Sequence, residues 1–181
     1  MESYVGLLRA VNLGGTTQIR MEELGKVVAG LGFHGVRTLL QSGNVVFRGA
    51  PASPATIEDR LEAALHSGLQ FRTELFVRTA SEWRGVIAAN PFPEEAKRDP
   101  AHLTVAFLKT PPRPEAWSDL RNAIRGREAV RGTGRHAYIV YPDGIGRSKL
   151  TPALIERNLE TRATSRNWNT ILKLDALAAT T

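Results

Sequence analysis

Two glycine-centred turn signals, Ser42-Gly43 and Thr133-Gly134, each set between short apolar runs, constrain this chain more than any other feature. Such a pair of runs closes as a β-hairpin, because glycine reaches the backbone conformations that a tight reversal needs. The flanks of the first hairpin narrow the choice further. Before it come an apolar strand-like run at residues 4–11 and a helical stretch with Met21, Leu24, Val27, Val28 and Leu31 on one face, ended by Gly32. The hairpin strands are residues 36–41 and 44–48. After them, residues 56–65 set Ile57, Leu61, Ala64 and Leu65 at helical spacing, and residues 71–78 read as a strand. The order β-α-β-β-α-β is the split βαβ pattern of a ferredoxin-like sandwich.

The second hairpin lies in a similar setting. Residues 81–89 read as a connecting helix, capped by Ser81 and closed by Asn90-Pro91. A strand at 102–109, a stiff proline loop at 111–114 and a helix at 115–124 lead to hairpin strands at 128–132 and 135–141. A helix at 151–159, a short extended piece at 161–166 and a terminal helix at 167–178 complete the chain. The expected class is α+β: two tandem ferredoxin-like halves with antiparallel sheets, packed into one compact unit. The halves are placed at 1–79 and 102–181, joined through 80–101, with a C-terminal helix.

Composition removes several functions. With no cysteine among 181 residues, disulfides, thiolate metal sites and a cysteine nucleophile are excluded. His34, His66, His102 and His136 form no metal-binding spacing, so no metal and no cofactor are expected, and each reads as a surface or turn histidine. No apolar run is long enough to span a bilayer, and the chain opens without a basic leader, which points to a soluble cytoplasmic protein with no membrane partner, a monomer or weak homodimer. The net charge of +6 is unevenly spread. Residues 1–108 hold eleven Lys/Arg and eleven Asp/Glu, whereas residues 109–181 hold thirteen against seven. A basic second half suggests an anionic partner, either a small anion or nucleic acid. Arginine outnumbers lysine nineteen to five, however, a bias that codon usage also produces.

The main candidate site follows the second hairpin, in Tyr141-Pro142-Asp143-Gly144-Ile145-Gly146-Arg147-Ser148-Lys149-Leu150-Thr151-Pro152. Gly144 and Gly146 permit positive φ and close ligand approach. Thr151-Pro152 reads as an N-cap followed by the first helical residue, so free N–H groups should lie just past Arg147, Ser148 and Lys149, a setting that attracts anions. The spacing matches neither the phosphate-loop nor the dinucleotide pattern. A tight strand-to-helix turn with solvated cations explains the same residues.

Four further groups carry similar pairs of readings. Gln41, Ser42 and Asn44 could present amides and a hydroxyl to a ligand, or Gly43 and Asn44 could supply the positive φ of a hairpin. Asn12 with Gly14-Gly15 could form an anion nest or a turn. Arg9, in an apolar strand, is half of an ion pair or a cation reaching a ligand. Arg166, Asn167 and Trp168 could hold a phosphate and stack on a base, or Trp168 could be core. Taking the first and third strands of a split βαβ unit as parallel sets the 12–15 and 42–43 turns at opposite sheet ends. It also brings the 144–149 loop beside Lys109. Strands at 4–11 and 102–109 look covered on both faces, against base stacking on a sheet. No catalytic triad or carboxylate pair is legible, and Asp143 is the one acid beside the loop.

Five ordered motifs, residues 7–15, 41–47, 90–92, 144–150 and 165–170, together resemble the uncharacterised bacterial family catalogued as domain of unknown function 1697. The resemblance spans essentially the whole chain, with Ala10 where relatives commonly carry glycine. It implies two ferredoxin-like halves and supplies no activity, substrate or catalytic residue. Three functions stay open: binding of a phosphate- or carboxylate-bearing small ligand at 144–149, nonspecific nucleic-acid binding by the basic half, and a structural or protein-interaction role. Enzymatic activity is left open with them.

Overall fold

The computed structural model describes residues 1–9 and 19–181. The expected turn at Asn12 lies outside them. The first set of elements is β1 (Glu2–Leu8), α1 (Met21–Gly30), β2 (His34–Leu39), β3 (Asn44–Gly49), α2 (Pro54–Leu69) and β4 (Leu75–Thr79). Then follow α3 (Ala80–Ala88), α4 (Pro93–Arg98), β5 (Leu103–Leu108), α5 (Ala116–Ala123), β6 (Ala129–Thr133), β7 (His136–Val140), α6 (Pro152–Leu159), β8 (Ala163–Asn167) and α7 (Trp168–Ala179). The protein is mixed α+β, with two four-stranded antiparallel sheets ordered β2-β3-β1-β4 and β6-β7-β5-β8.

The chain divides into two compact units, Met1–Gly85 with Lys173–Thr181, and Val86–Leu172. This differs from the expected 1–79 and 102–181 in two places. Helix α3 is shared between the units instead of lying wholly in a connector, and the last nine residues belong with the first unit.

In the first unit, Tyr4, Leu8, Val45, Phe47, Leu75 and Val77 of the sheet meet Leu24, Val28, Ile57, Leu61 and Leu65 of the two helices. Isolated helices of 10 and 16 residues are marginal in water, so this burial holds them, at roughly 1.5–3 kcal/mol for each large apolar side chain. The second unit repeats the scheme with Ala106, Leu108, Val130 and Ile139 against Leu120, Ile155 and Leu159. All six residues of β5 are buried, as are Tyr4 to Leu8 of β1, so neither central strand offers a stacking face for bases.

Strand direction corrects one expectation. β1 and β3 are antiparallel, with Leu7 opposite Asn44 and the Leu8 amide donating to the Gly43 carbonyl at 2.8 Å. The helical crossover makes β1 and β2 parallel, and the hairpin strand β3 slots between them, antiparallel to both. The end of β1 and the 40–43 tip therefore share one sheet end. In that tip Gly43 has φ 76°, but the second positive φ is at Leu40 (59°), not Asn44. Asn44 is fully buried, its Nδ2 donating to Leu39 O at 2.7 Å and Ser42 Oγ at 3.0 Å.

One outer strand of each sheet, β4 in the first and β8 in the second, is met by a helix carboxylate. Arg9 N donates to Glu74 O, so Leu75 and Val77 turn their amides away from β1. Those amides donate to Glu62 Oε1 and Glu58 Oε1, each at 2.7 Å, from residues one helical turn apart on α2. In the second unit the Ala163 amide donates to Glu156 Oε1 of α6 at 2.8 Å. The extended piece expected at 161–166 is thus the strand β8, Ala163–Asn167, which pairs along β5 and takes in Asn167, expected as the first residue of the terminal helix. Helix α3 is capped two residues before the expected Ser81: Glu82 N donates to Thr79 Oγ1 at 3.0 Å and Thr79 N to Glu82 Oε2 at 2.8 Å, a reciprocal capping box.

Candidate functional site

The 141–152 loop begins where β7 ends. Tyr141 is buried, its backbone amide donating to His102 O at 2.8 Å and its hydroxyl to Leu150 O at 3.3 Å, so one residue ties the start of the loop to β5 and, through its side chain, to the loop's far end. Gly144 N returns to Tyr141 O at 2.9 Å, closing a turn with Pro142 second. Gly144 has φ 81° and ψ 147°, a region that only glycine enters easily. Gly146 does not share that property: it lies in a single 3-10 turn, Ile145–Arg147, with no positive φ and open space where a Cβ would be.

Ser148 fixes the far side of the loop. Its hydroxyl donates to Glu128 Oε1 and accepts from Leu150 N at 2.9 Å. Glu128 Oε2 is buried and has no hydrogen-bond partner among the described residues. Thr151 caps α6 by accepting from Leu154 N at 3.2 Å, with Pro152 first in the helix, as its sequence indicated. Arg147 and Lys149 are exposed, and among the described residues neither forms a salt bridge.

Sequence reasoning missed the groups that join this loop from elsewhere. Asp143 is held by both Arg127 Nε, at 3.2 Å, and Arg127 Nη2. The hydrogen bond from Arg127 keeps the Asp143 carboxyl below its usual range, with the charges of Arg127, Arg147 and His102 acting the same way. His102 is more than a turn residue. Its Nδ1 is 2.6 Å from Asp99 Oδ2, and its Nε2 would lie 3.5 Å from a Cβ on Gly144. The spacing of Asp99 and His102 was the available signal. Nothing in the sequence links Glu128 to Ser148.

The remaining candidates separate. β5 and β7 are antiparallel with Leu103 opposite Val140, so the loop lies beside His102 at the start of β5. Lys109 is at the other sheet end, its amide donating to Arg162 O at 2.9 Å, which corrects the grouping of Lys109 with Arg147, Ser148 and Lys149. Arg166 and Asn167 reach the loop's sheet end, opposite Val105 and Thr104, but on the far side of β5 from β7. The Arg166 guanidinium is buried, donating to Thr164 Oγ1 at 3.0 Å and Ser165 O at 2.8 Å; desolvation lowers its pKa to about 10. Asn167 Oδ1 accepts from Thr170 N at 3.0 Å, and Trp168 is 5% exposed, a core position. Arg9 is in a half-exposed ion pair with Glu74 at 3.3 Å, while Gln41 is exposed and Ser42 half-buried at the hairpin tip. A depression of about 420 Å³ runs along α6 and past its C-terminus, lined by Ala153, Glu156, Arg157, Glu160, Thr161 and Arg162. Among the described residues no group of three or more His, Asp or Glu could hold a metal ion, and no helix is long and apolar enough to cross a membrane.

A family model matches residues 1–138. The chain belongs to the family described as Protein of unknown function (DUF1697). The match runs from β1 into β7, so the 144–149 loop and residues 166–168 lie beyond the matched span. Among solved structures, the conserved bacterial protein SP0830 from Streptococcus pneumoniae is similar over 98% of each chain, with a TM-score of 0.74 and 18% identity. That likeness speaks to the fold alone. No curated protein matches the chain.

Proposed function

We propose that this family member is a cytoplasmic binding protein of two ferredoxin-like halves that holds a phosphate- or carboxylate-bearing small molecule at residues 144–149. Both sheets insert a hairpin strand between the strand that precedes the first helix and the strand that follows it, which supports the ferredoxin-like reading. The observation that carries the binding reading is the pair Arg147 and Lys149, exposed and outside any salt bridge among the described residues, on a loop that runs into the N-terminus of α6. Ser148, already donating to Glu128, holds the loop in shape. Arg166 and Trp168 are buried, so any contribution from them is to the scaffold of that sheet end.

The test is a thermal-shift titration with inorganic phosphate, acetate and a nucleoside monophosphate. A saturable rise in Tm with at least one of them, lost in the Arg147→Ala/Lys149→Ala double variant, supports the reading. No saturable rise rejects it. Binding to an oligonucleotide that falls steeply with salt, with no response to the small anions, would transfer the function to nucleic acid and the basic second half.

A further inference from the structure

We propose that His102 is a ligand-selecting residue of the 144–149 loop: its imidazolium donates from Nε2 to a dianion, a phosphate monoester in preference to a carboxylate, so that binding takes up a proton. This role rests on the anion-binding reading of the loop and adds to it a residue, a ligand charge and a pH dependence.

The setting of the ring decides what it can do. Asp99, which ends α4, has Oδ2 2.6 Å from His102 Nδ1, and a carboxylate only accepts, so Nδ1 carries a proton. Nε2 is then a lone pair in the neutral ring, which repels an anion's oxygens, and an N–H donor in the charged ring. That edge faces the loop. Nε2 lies 3.5 Å, and Cδ2 4.0 Å, from where a Cβ on Gly144 would be. Apart from Asp143 and Ile145, its neighbours in sequence, no described residue other than His102 comes within 4 Å of that position. The His102 side chain is 42% exposed, open to a ligand, and its carbonyl is held by the Tyr141 amide at the start of the loop.

Charge makes the proton decisive. The loop carries Asp143, Arg147 and Lys149. The charged side chains bonded to it are Arg127, on Asp143, and Glu128, on Ser148, while Asp99 is bonded to His102. Three cations, Arg127, Arg147 and Lys149, thus stand against three carboxylates, Asp99, Asp143 and Glu128. With a neutral imidazole the sum is zero. A proton on His102 makes the site positive and supplies the missing donor in one step. Arg147 and His102 both act by charge on the Asp143 carboxyl, so they converge on one part of the loop. An added positive charge attracts a dianion about twice as strongly as a monoanion at the same distance, which favours the phosphate monoester.

The experiment is calorimetric titration of the intact protein with sulfate, a dianion throughout, at pH 5.5 and 8.5 and constant ionic strength, beside the monoanion methanesulfonate. Sulfate should bind at least about tenfold tighter at pH 5.5, with a smaller gain for methanesulfonate. Buffers of different ionisation enthalpy should show proton uptake on sulfate binding between these pH values. His102→Gln should lose both the gain and the uptake, whereas His66→Gln, on α2, should keep them. Equal sulfate affinity at the two pH values, a gain that survives His102→Gln, or an equal gain for methanesulfonate overturns the role of His102, and the anion site itself stands if Arg147→Ala/Lys149→Ala abolishes the binding that remains. No saturable sulfate binding at either pH overturns both.

Discussion

The Val77 amide donates to the Glu58 carboxylate across 2.7 Å, and the same carboxylate lies 4.0 Å from the Arg78 guanidinium, all of it buried. The second sheet repeats only part of this arrangement. Arg78 stands opposite Val5 and donates to Val77 O; Arg166 stands opposite Val105 and donates to Ser165 O, each bond 2.8 Å. Glu62 and Glu156 cap corresponding strand starts, but four residues before Glu156 the counterpart of Glu58 is Pro152.

Removing Glu58 should therefore cost far more than removing Glu156. Glu58→Ala strands a buried cation and a buried amide and should cost about 3–5 kcal/mol. Glu156→Ala, at a half-buried position, should cost about 1–2 kcal/mol. Urea unfolding checks both, and equal losses would show that the buried pair adds nothing.

The two loop glycines should respond in opposite ways. Gly144→Ala forces a side chain into φ 81° and should lose roughly 1–3 kcal/mol. Gly146→Ala meets open space and should stay within about 0.5 kcal/mol of the parent. Thermal unfolding of the pair would reject this account if both were neutral.

Stability should fall on the alkaline side. Burial pushes Tyr138 up to about 12 from 10.0, and burial with the Glu128 charge pushes Tyr141 up as well. A raised acid keeps its proton longer in the folded state, so its contribution is complete below pH 10 and is lost as pH rises toward 12. Urea midpoints between pH 9 and 12 should drop, and Tyr138→Phe should flatten the slope. An unchanged slope would count against buried, protonated tyrosine.

Asp143 gives the acid-side counterpart. Its depressed carboxyl favours the folded state at neutral pH, and that contribution disappears as pH falls through its lowered pKa. Arg127→Ala should move the Asp143 titration upward in a carboxyl-carbon NMR experiment, while Lys149→Ala should leave it in place.

The hairpins, the Thr151-Pro152 cap and most strands were legible because each rests on residues adjacent in sequence. Helix α4 was not: it has six residues and buries none, so no periodicity marks it. Ser81 drew attention from Thr79 because both precede the apolar face, and only the bond to Glu82 separates them. The loop was visible as a motif, yet Glu128, Arg127 and His102 entered through strand pairing that places residues 16 to 42 positions away beside it. Pairing direction was the decisive hidden variable, since it moved Lys109 to one end of the sheet and His102 to the other.

The division of the chain sets an order of manufacture. Residues 86–172 form one unit from a single uninterrupted stretch, whereas the unit that begins at Met1 includes Lys173–Thr181. During synthesis the inner stretch has left the ribosome in full before the outer unit receives its final piece, the one that brings Thr180 to Arg37. The half that is made first is the last to be finished.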